Sequence, residues 1–264
     1  MMLNKQALLE KINQPDDRLL IAKVLDRAGF SLKKHEDTFS DFCDPRKMEM
    51  IINVISKIKE VKYRVFGGFD ECERQVIGFC PNYRGLEEKD FPISMVRIDV
   101  NTKFSKDLTH RDFLGSILGL GINREKVGDI LIYEKHALVF VFSEISSYIV
   151  LNLERVGRNV VKVSDVDLSN VDLPKQKIEE KSITISSLRI DALLGAVFNI
   201  SRGKAQKLVE SEKVFINWSV ANNVSKAVKE YDTISLRGFG RAKLIEIKGK
   251  TKKDRISVVV LKYV

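Results

Sequence analysis

From Ile93 to Val163 the apolar residues switch between a period of two and a period near 3.6 in a fixed order. Ser94–Val100 alternates as a strand. Thr109–Leu120 repeats as a helix closed by Gly121. Asp129–Tyr133 and Leu138–Phe142 are two strands separated by a short polar turn. Glu144–Val156 is again helical, and Asn159–Val163 is a last strand. The order βαββαβ predicts a ferredoxin-like split sheet. That arrangement hosts many functions, RNA-recognition domains among them, so it constrains the fold and leaves the activity open. The RNA-recognition domain proper needs an aromatic-rich strand that starts with a basic residue and glycine. The nearest segment here, Ala137–Phe142, lacks that start, so Phe140 and Phe142 read as core or sheet face in preference to base-stacking platforms.

The remainder organises around this middle. The first 60 residues read as helices, one opened by Pro15-Asp16-Asp17 and another by Asp44-Pro45, followed by two extended pieces near Tyr63–Phe66 and Gln75–Cys80. A polar stretch with one proline precedes a third unit. The chain is therefore expected to be α+β, with a mainly helical domain over 1–85 carrying a hairpin, an RNA-recognition-like middle domain over 86–170, a linker over 171–181 and a last domain over 182–264.

Charge separates that last unit from the rest. Residues 181–264 hold 17 Lys and Arg against 7 Asp and Glu, whereas residues 1–180 hold 28 against 29. A basic module on a neutral body suits a polyanion partner, with binding that weakens steeply as salt is added. No apolar run reaches the roughly 18–20 residues that cross a bilayer, and the start lacks the apolar core of a signal peptide, so a membrane or secretory role is not expected. Cys43, Cys72 and Cys80 form no C-x-x-C pair and read as reduced thiols; His35, His110 and His136 are scattered, so no metal or other cofactor is expected.

The local chemistry of the third unit is phosphate-binding in character. A helix is expected over Ile190–Phe198. Ser201 then caps a second helix running to about Ser211, with Ala205, Leu208 and Val209 inward and Arg202, Lys204 and Lys207 outward. Free N–H groups and cationic side chains thus meet at one helix start. Strands are expected at Val214–Asn217, Thr233–Leu236, Leu244–Ile247 and Ser257–Leu261. Between the second and third, Arg237-Gly238-Phe239-Gly240-Arg241-Ala242-Lys243 reads as a loop whose glycines permit close backbone approach and whose arginines fork onto phosphate.

S-x-R-x-D-x-L-L from Ser187, S-R-x-x-A-x-x-L-V from Ser201, V-x-I-N from Val214 and Y-D-x-I-x-x-x-G-x-G from Tyr231 resemble the alpha-L RNA-binding motif of a small-subunit ribosomal protein. The resemblance spans about residues 182–248. It implies that Arg189, Ser201, Arg202, Lys204 and Lys207 face RNA, with Asp191 as a structural partner of a nearby arginine. Arg237, Arg241 and Lys243 complete the expected RNA-binding set. The motif's usual Asn-Gly is Asn217-Trp218 here, which puts its tight turn in question. Further upstream, Thr109-His110-Arg111-Asp112-Phe113-Leu114-Gly115 and L-G-L-G-I-x-R-E-K-V-G-D-I ending at Ile130 resemble the YlmH family, as does the overall plan. That resemblance implies a bacterial cytoplasmic factor, bound to rRNA or tRNA on the ribosomal large subunit. It implies quality control of stalled subunits, with genes often beside those of cell division.

Three strings imitate catalytic signatures. His110-Arg111-Asp112 lacks the glycine-rich loop and partner lysine of a kinase, and reads as a capping box opened by Thr109. Lys103–Asp107 faintly imitates the ATP loop of a tRNA synthetase without its nucleotide-binding domain. Gly119-Leu120-Gly121 follows a helix and so is no dinucleotide fingerprint. The expectation is a monomeric, non-enzymatic RNA-binding factor with no small-molecule substrate and no catalytic residue. The rival reading, an RNA-modifying enzyme of pseudouridine synthase or methyltransferase type, lacks a visible catalytic domain. Arg202→Glu with Lys204→Glu is expected to remove most ribosome co-sedimentation at moderate salt and leave the fold intact.

Overall fold

The computed structural model describes residues 5–10, 12–58, 60–70, 72–100, 108–168, 178–251 and 254–263. They fall into two compact units, Met1–Asp172 and Leu173–Val264. The synthetase-like string Lys103–Asp107 lies outside the described residues.

The first unit opens with α1 (Lys5–Leu9) and α2 (Pro15–Lys34), the latter begun by proline and two acids and closed by Lys33, Lys34 and a left-handed His35. Its buried face is Ile21, Val24, Leu25 and Ala28. After β1 (Thr38–Phe39), Asp44 accepts from the Lys47 amide at 2.9 Å and caps α3 (Pro45–Ile55). Arg46 in α3 donates twice to Asp17 of α2, at 2.8 and 3.1 Å, which sets the angle between the helices. β2 (Lys62–Phe66) and β3 (Val76–Cys80) follow, and the sheet order is β1-β3-β2. The central strand β3 is buried at every position.

The middle segment is β4 (Ile93–Val100), α4 (His110–Leu118), β5 (Val127–Ile132), β6 (His136–Phe142), α5 (Ser143–Asn152), β7 (Arg155–Val156) and β8 (Asn159–Val166). The sheet order β5-β6-β4-β8, antiparallel throughout, is the ferredoxin-like arrangement, with the short β7 added at the edge. α5 ends at Asn152, short of the expected Val156, because the chain turns back to pair Val156 with Asn159. Val96, Val139 and Val141 meet Phe113 of α4 and Ile149 of α5 on one face.

The opposite face is where RNA-recognition domains stack bases on aromatic side chains. Here it is closed. Phe140 is fully buried under Phe69, ring centroids 4.9 Å apart, and Phe142 meets Phe42 edge-on at 5.4 Å. Gly68, at φ +110°, comes so near that an added Cβ would stand 2.3 Å from the Phe140 ring. A polar staple reinforces the contact. The Arg74 guanidinium donates to the carbonyls of Val127 (2.9 Å) and Phe42 (3.0 Å), while Asp129 accepts from the amides of Glu73 and Arg74. Burial pushes the Asp129 carboxyl up to about 6.

The second unit begins earlier than the sequence indicates. β9 (Ile178–Ile185) starts inside the stretch read as linker, and it pairs along its full length with the last strand. α6 (Ile190–Phe198) and α7 (Arg202–Glu210) follow, then β10 (Val214–Ile216), β11 (Ser219–Val220), β12 (Thr233–Leu236), β13 (Gly240–Lys250) and β14 (Ile256–Tyr263). The six strands are ordered β11-β10-β12-β13-β14-β9. Their inward residues, among them Ile216, Ile234, Leu236, Leu244 and Val260, enclose Leu193, Leu194, Ala205 and Val209 of the two helices. The structure is mixed helix and sheet, as the α+β reading expects.

Candidate nucleic-acid interface

α6 and α7 form the cationic side of the second unit. The alternation of apolar residues buries Leu193, Leu194 and Val197 of α6 and Ala205 and Val209 of α7, which turns the other side of α7 to solvent. Ser201 caps α7 by accepting from the Lys204 amide at 3.3 Å. The first turn of α7 holds Arg202 and Lys204 and no acid. Cations there oppose the helix dipole, at a cost of about 0.3–1 kcal/mol each. Stability of the isolated helix would favour the reverse; here the charge of Arg202 is met by Asp191 and that of Lys204 is left to solvent.

Asp191 organises the arginines. Its side chain is fully buried and accepts from Arg189 (3.1 Å twice), from Arg202 Nε (2.9 Å) and from Gln206 (3.3 Å). Burial alone would raise this carboxyl, but the bonds from Arg189, Arg202 and Gln206 outweigh it and hold the group at about 2. Asp191 is thus the arginine partner expected from the sequence, with two arginines instead of one. Arg189 and Arg202 remain 36% and 52% exposed and fixed in direction, which preorganises their outer N–H groups.

Lys204 and Lys207 are exposed, and among the described residues no carboxylate pairs with either. The Lys204 ammonium sits 5.0 Å above the Phe239 ring. Phe239 meets Phe198 at 6.4 Å, and Lys262 lies 5.8 Å from Phe198. Sequence reasoning missed Phe239 and Lys262, because their approach to α6 and α7 depends on how β12, β13 and β14 register.

The other expected residues lie elsewhere. Arg241 and Lys243 belong to β13, not to a loop, since that strand begins at Gly240 instead of Leu244. Ala242 and Leu244 point into the core, so Arg241 and Lys243 occupy the outer face, away from α6 and α7. There Arg241 lies 4.3 Å over Tyr263, its register partner, and Arg237 lies 5.1 Å over Phe215. The eight expected residues therefore form two groups: Arg189, Ser201, Arg202, Lys204 and Lys207 on the helices, and Arg237, Arg241 and Lys243 on the outer sheet face.

Upstream, the capping box is present: Asp112 accepts from the amide and hydroxyl of Thr109 at 2.8 and 2.7 Å. His110 and Arg111 are exposed beside it. Among the described residues no cluster of three or more His, Cys, Asp or Glu is placed to hold a metal, and no helix is long and apolar enough to cross a membrane.

Three family models match the chain in sequence: "YlmH, N-terminal" over residues 16–83, "Putative RNA-binding domain in YlmH" over 87–170 and "S4 domain" over 188–234. A relative from Bacillus subtilis (strain 168), named "Ribosome-associated protein quality control protein P2", is 33% identical over 240 residues, covering 91% of this chain and 93% of its own. A solved structure titled "Cell division protein ylmH from Streptococcus pneumoniae" superposes with a TM-score of 0.51 at 23% identity, covering 61% of this chain and 98% of that one, a likeness of fold alone.

Proposed function

The chain belongs to the YlmH family, and from that premise we propose that it is a cytoplasmic, monomeric, non-enzymatic factor that docks on structured RNA of the ribosomal large subunit. The observation that carries this reading is the cationic face of α7, where Arg202 is braced from behind by the buried Asp191 and Lys204 and Lys207 meet no carboxylate among the described residues. Arg189 and Arg202 present fixed forks to phosphate, and Lys204 and Lys207 add point charges on the same side. Recognition by shape and backbone, not by base sequence, suits folded rRNA or tRNA. The bacterial relative's name and the RNA-binding and S4 models support ribosome quality control as the setting, and a stalled large subunit still carrying peptidyl-tRNA is the complex this reading assigns to it. Arg237, Arg241 and Lys243 give the same module a second cationic face for an adjoining RNA segment. The closed sheet of the middle segment directs any RNA contact there away from Phe140 and towards exposed residues such as His110 and Arg111.

The structure changes the best test. Arg202→Glu would set a carboxylate against buried Asp191 and unfold the module for reasons unrelated to RNA. Lys204→Glu with Lys207→Glu touches neither Asp191 nor the core. That pair is expected to remove most co-sedimentation with large subunits at moderate salt while the module unfolds no earlier than wild type. Full co-sedimentation by the double variant would overturn the proposal.

A further inference from the structure

The tip of the β10–β11 hairpin places a tryptophan where the turn's backbone favours glycine. Asn217 and Trp218 form a two-residue turn at φ +48° and +60°, with Ile216 paired to Ser219 across it. The tight turn that the missing glycine put in question is therefore kept. Turns of this class favour Asn-Gly, because left-handed backbone costs a residue with a Cβ roughly 1 kcal/mol. Asn217 has a structural reason to be there: its side chain donates to Asp232 at 2.8 Å and accepts from the Thr233 amide at 2.9 Å. Trp218 has none in the core, which is assembled from other residues and leaves the indole outside, half-buried.

Tyr231 immediately precedes Asp232, the residue that Asn217 holds. It too is left-handed, at φ +69°, and is 67% exposed. Lys243 is the register partner of Thr233. One small hydrogen-bonded clamp thus ties together the chain neighbours of two aromatic residues with left-handed backbone, and Lys243 sits across from its Thr233 end. Strain kept by bulky side chains at an exposed site marks function more than folding. Solvent-facing aromatic side chains, in a segment with 17 basic against 7 acidic residues, suit a nucleobase already unstacked from its helix. We infer that Trp218, at the exposed hairpin tip, stacks on an unpaired nucleotide of the bound RNA. This rests on the RNA-binding reading above and adds a single-stranded contact to it.

The test uses full-length protein at low salt with two labelled probes, a single-stranded oligo(A) of about 12 nucleotides and a blunt RNA duplex of similar length. Anisotropy of the label reports binding. Emission of Trp218, the single tryptophan in the chain, reports stacking. The single strand is expected to quench Trp218 strongly and the duplex to leave it unchanged. Trp218→Gly is expected to weaken single-strand binding about tenfold, to leave duplex binding alone, and to unfold no earlier than wild type by circular dichroism. Trp218→Phe should recover most of the affinity. Binding without quenching, or Trp218→Gly within twofold of wild type, would overturn the inference and leave the RNA-binding reading standing. Earlier unfolding of Trp218→Gly would make the indole a packing residue and also overturn it. Failure to bind either probe or large subunits would remove both readings.

Discussion

Replacing Asp191 by Asn keeps the volume of a buried side chain and removes the charge that holds Arg189, Arg202 and Gln206 together. The folded carboxyl stands at about 2 against an ordinary 3.8. At 1.36 kcal/mol per unit, the ionised form contributes about 2 kcal/mol to folding. The figure stays below the ~3–5 kcal/mol of a wholly buried pair, because Arg189 and Arg202 are part-exposed and regain water when the charge goes. A folded value below the unfolded one means that this contribution is complete above pH ~4, fades as pH falls toward 2, and vanishes once both states are protonated. Urea unfolding followed by Trp218 emission reads the C-terminal unit selectively, since the chain has one tryptophan. Asp191→Asn is expected to lose about 2 kcal/mol at pH 7 and to converge on wild type near pH 2. A loss under ~0.5 kcal/mol at pH 7, or a deficit unchanged at pH 2, would refute the reasoning.

Gly68→Ala combines a left-handed φ of +110° with a Cβ driven 2.3 Å from the Phe140 ring, so the first unit should lose about 3 kcal/mol, seen by circular dichroism, while the Trp218 transition holds. An unchanged first transition would mean that the aromatic lock is absent. Burial pushes the Cys43 and Cys72 thiols up to about 11, which leaves roughly one thiolate in a thousand at pH 8. Thiol titration at that pH should be slow for both and become complete in denaturant; fast labelling of the native protein would contradict their burial.

The elements with local signals were legible in the sequence. The capping box at Thr109–Asp112, the Ser201 cap and the 3.6-residue spacing of α6 and α7 need only neighbours along the chain. Ile178–Ile185 reads as a charged linker until β14 lies beside it and supplies its pairing. The burial of Phe140 depends on Phe69, some 70 residues upstream, which no local pattern announces. For the interface, spacing identified Lys204 and Lys207. The division of the expected residues between two faces follows from the strand starting at Gly240, which an R-G-F-G-R string disguises as a loop. Phe239 and Tyr231 gain their meaning only from tertiary neighbours.

The central claim is that RNA lies against the helix face of the C-terminal unit. Ultraviolet crosslinking of the full-length protein to large subunits, followed by mass spectrometry of nucleotide-bearing peptides, reads this directly. The account predicts adducts on peptides that span Arg202–Lys207. Adducts confined to residues 5–168, with the C-terminal unit clean, would contradict it.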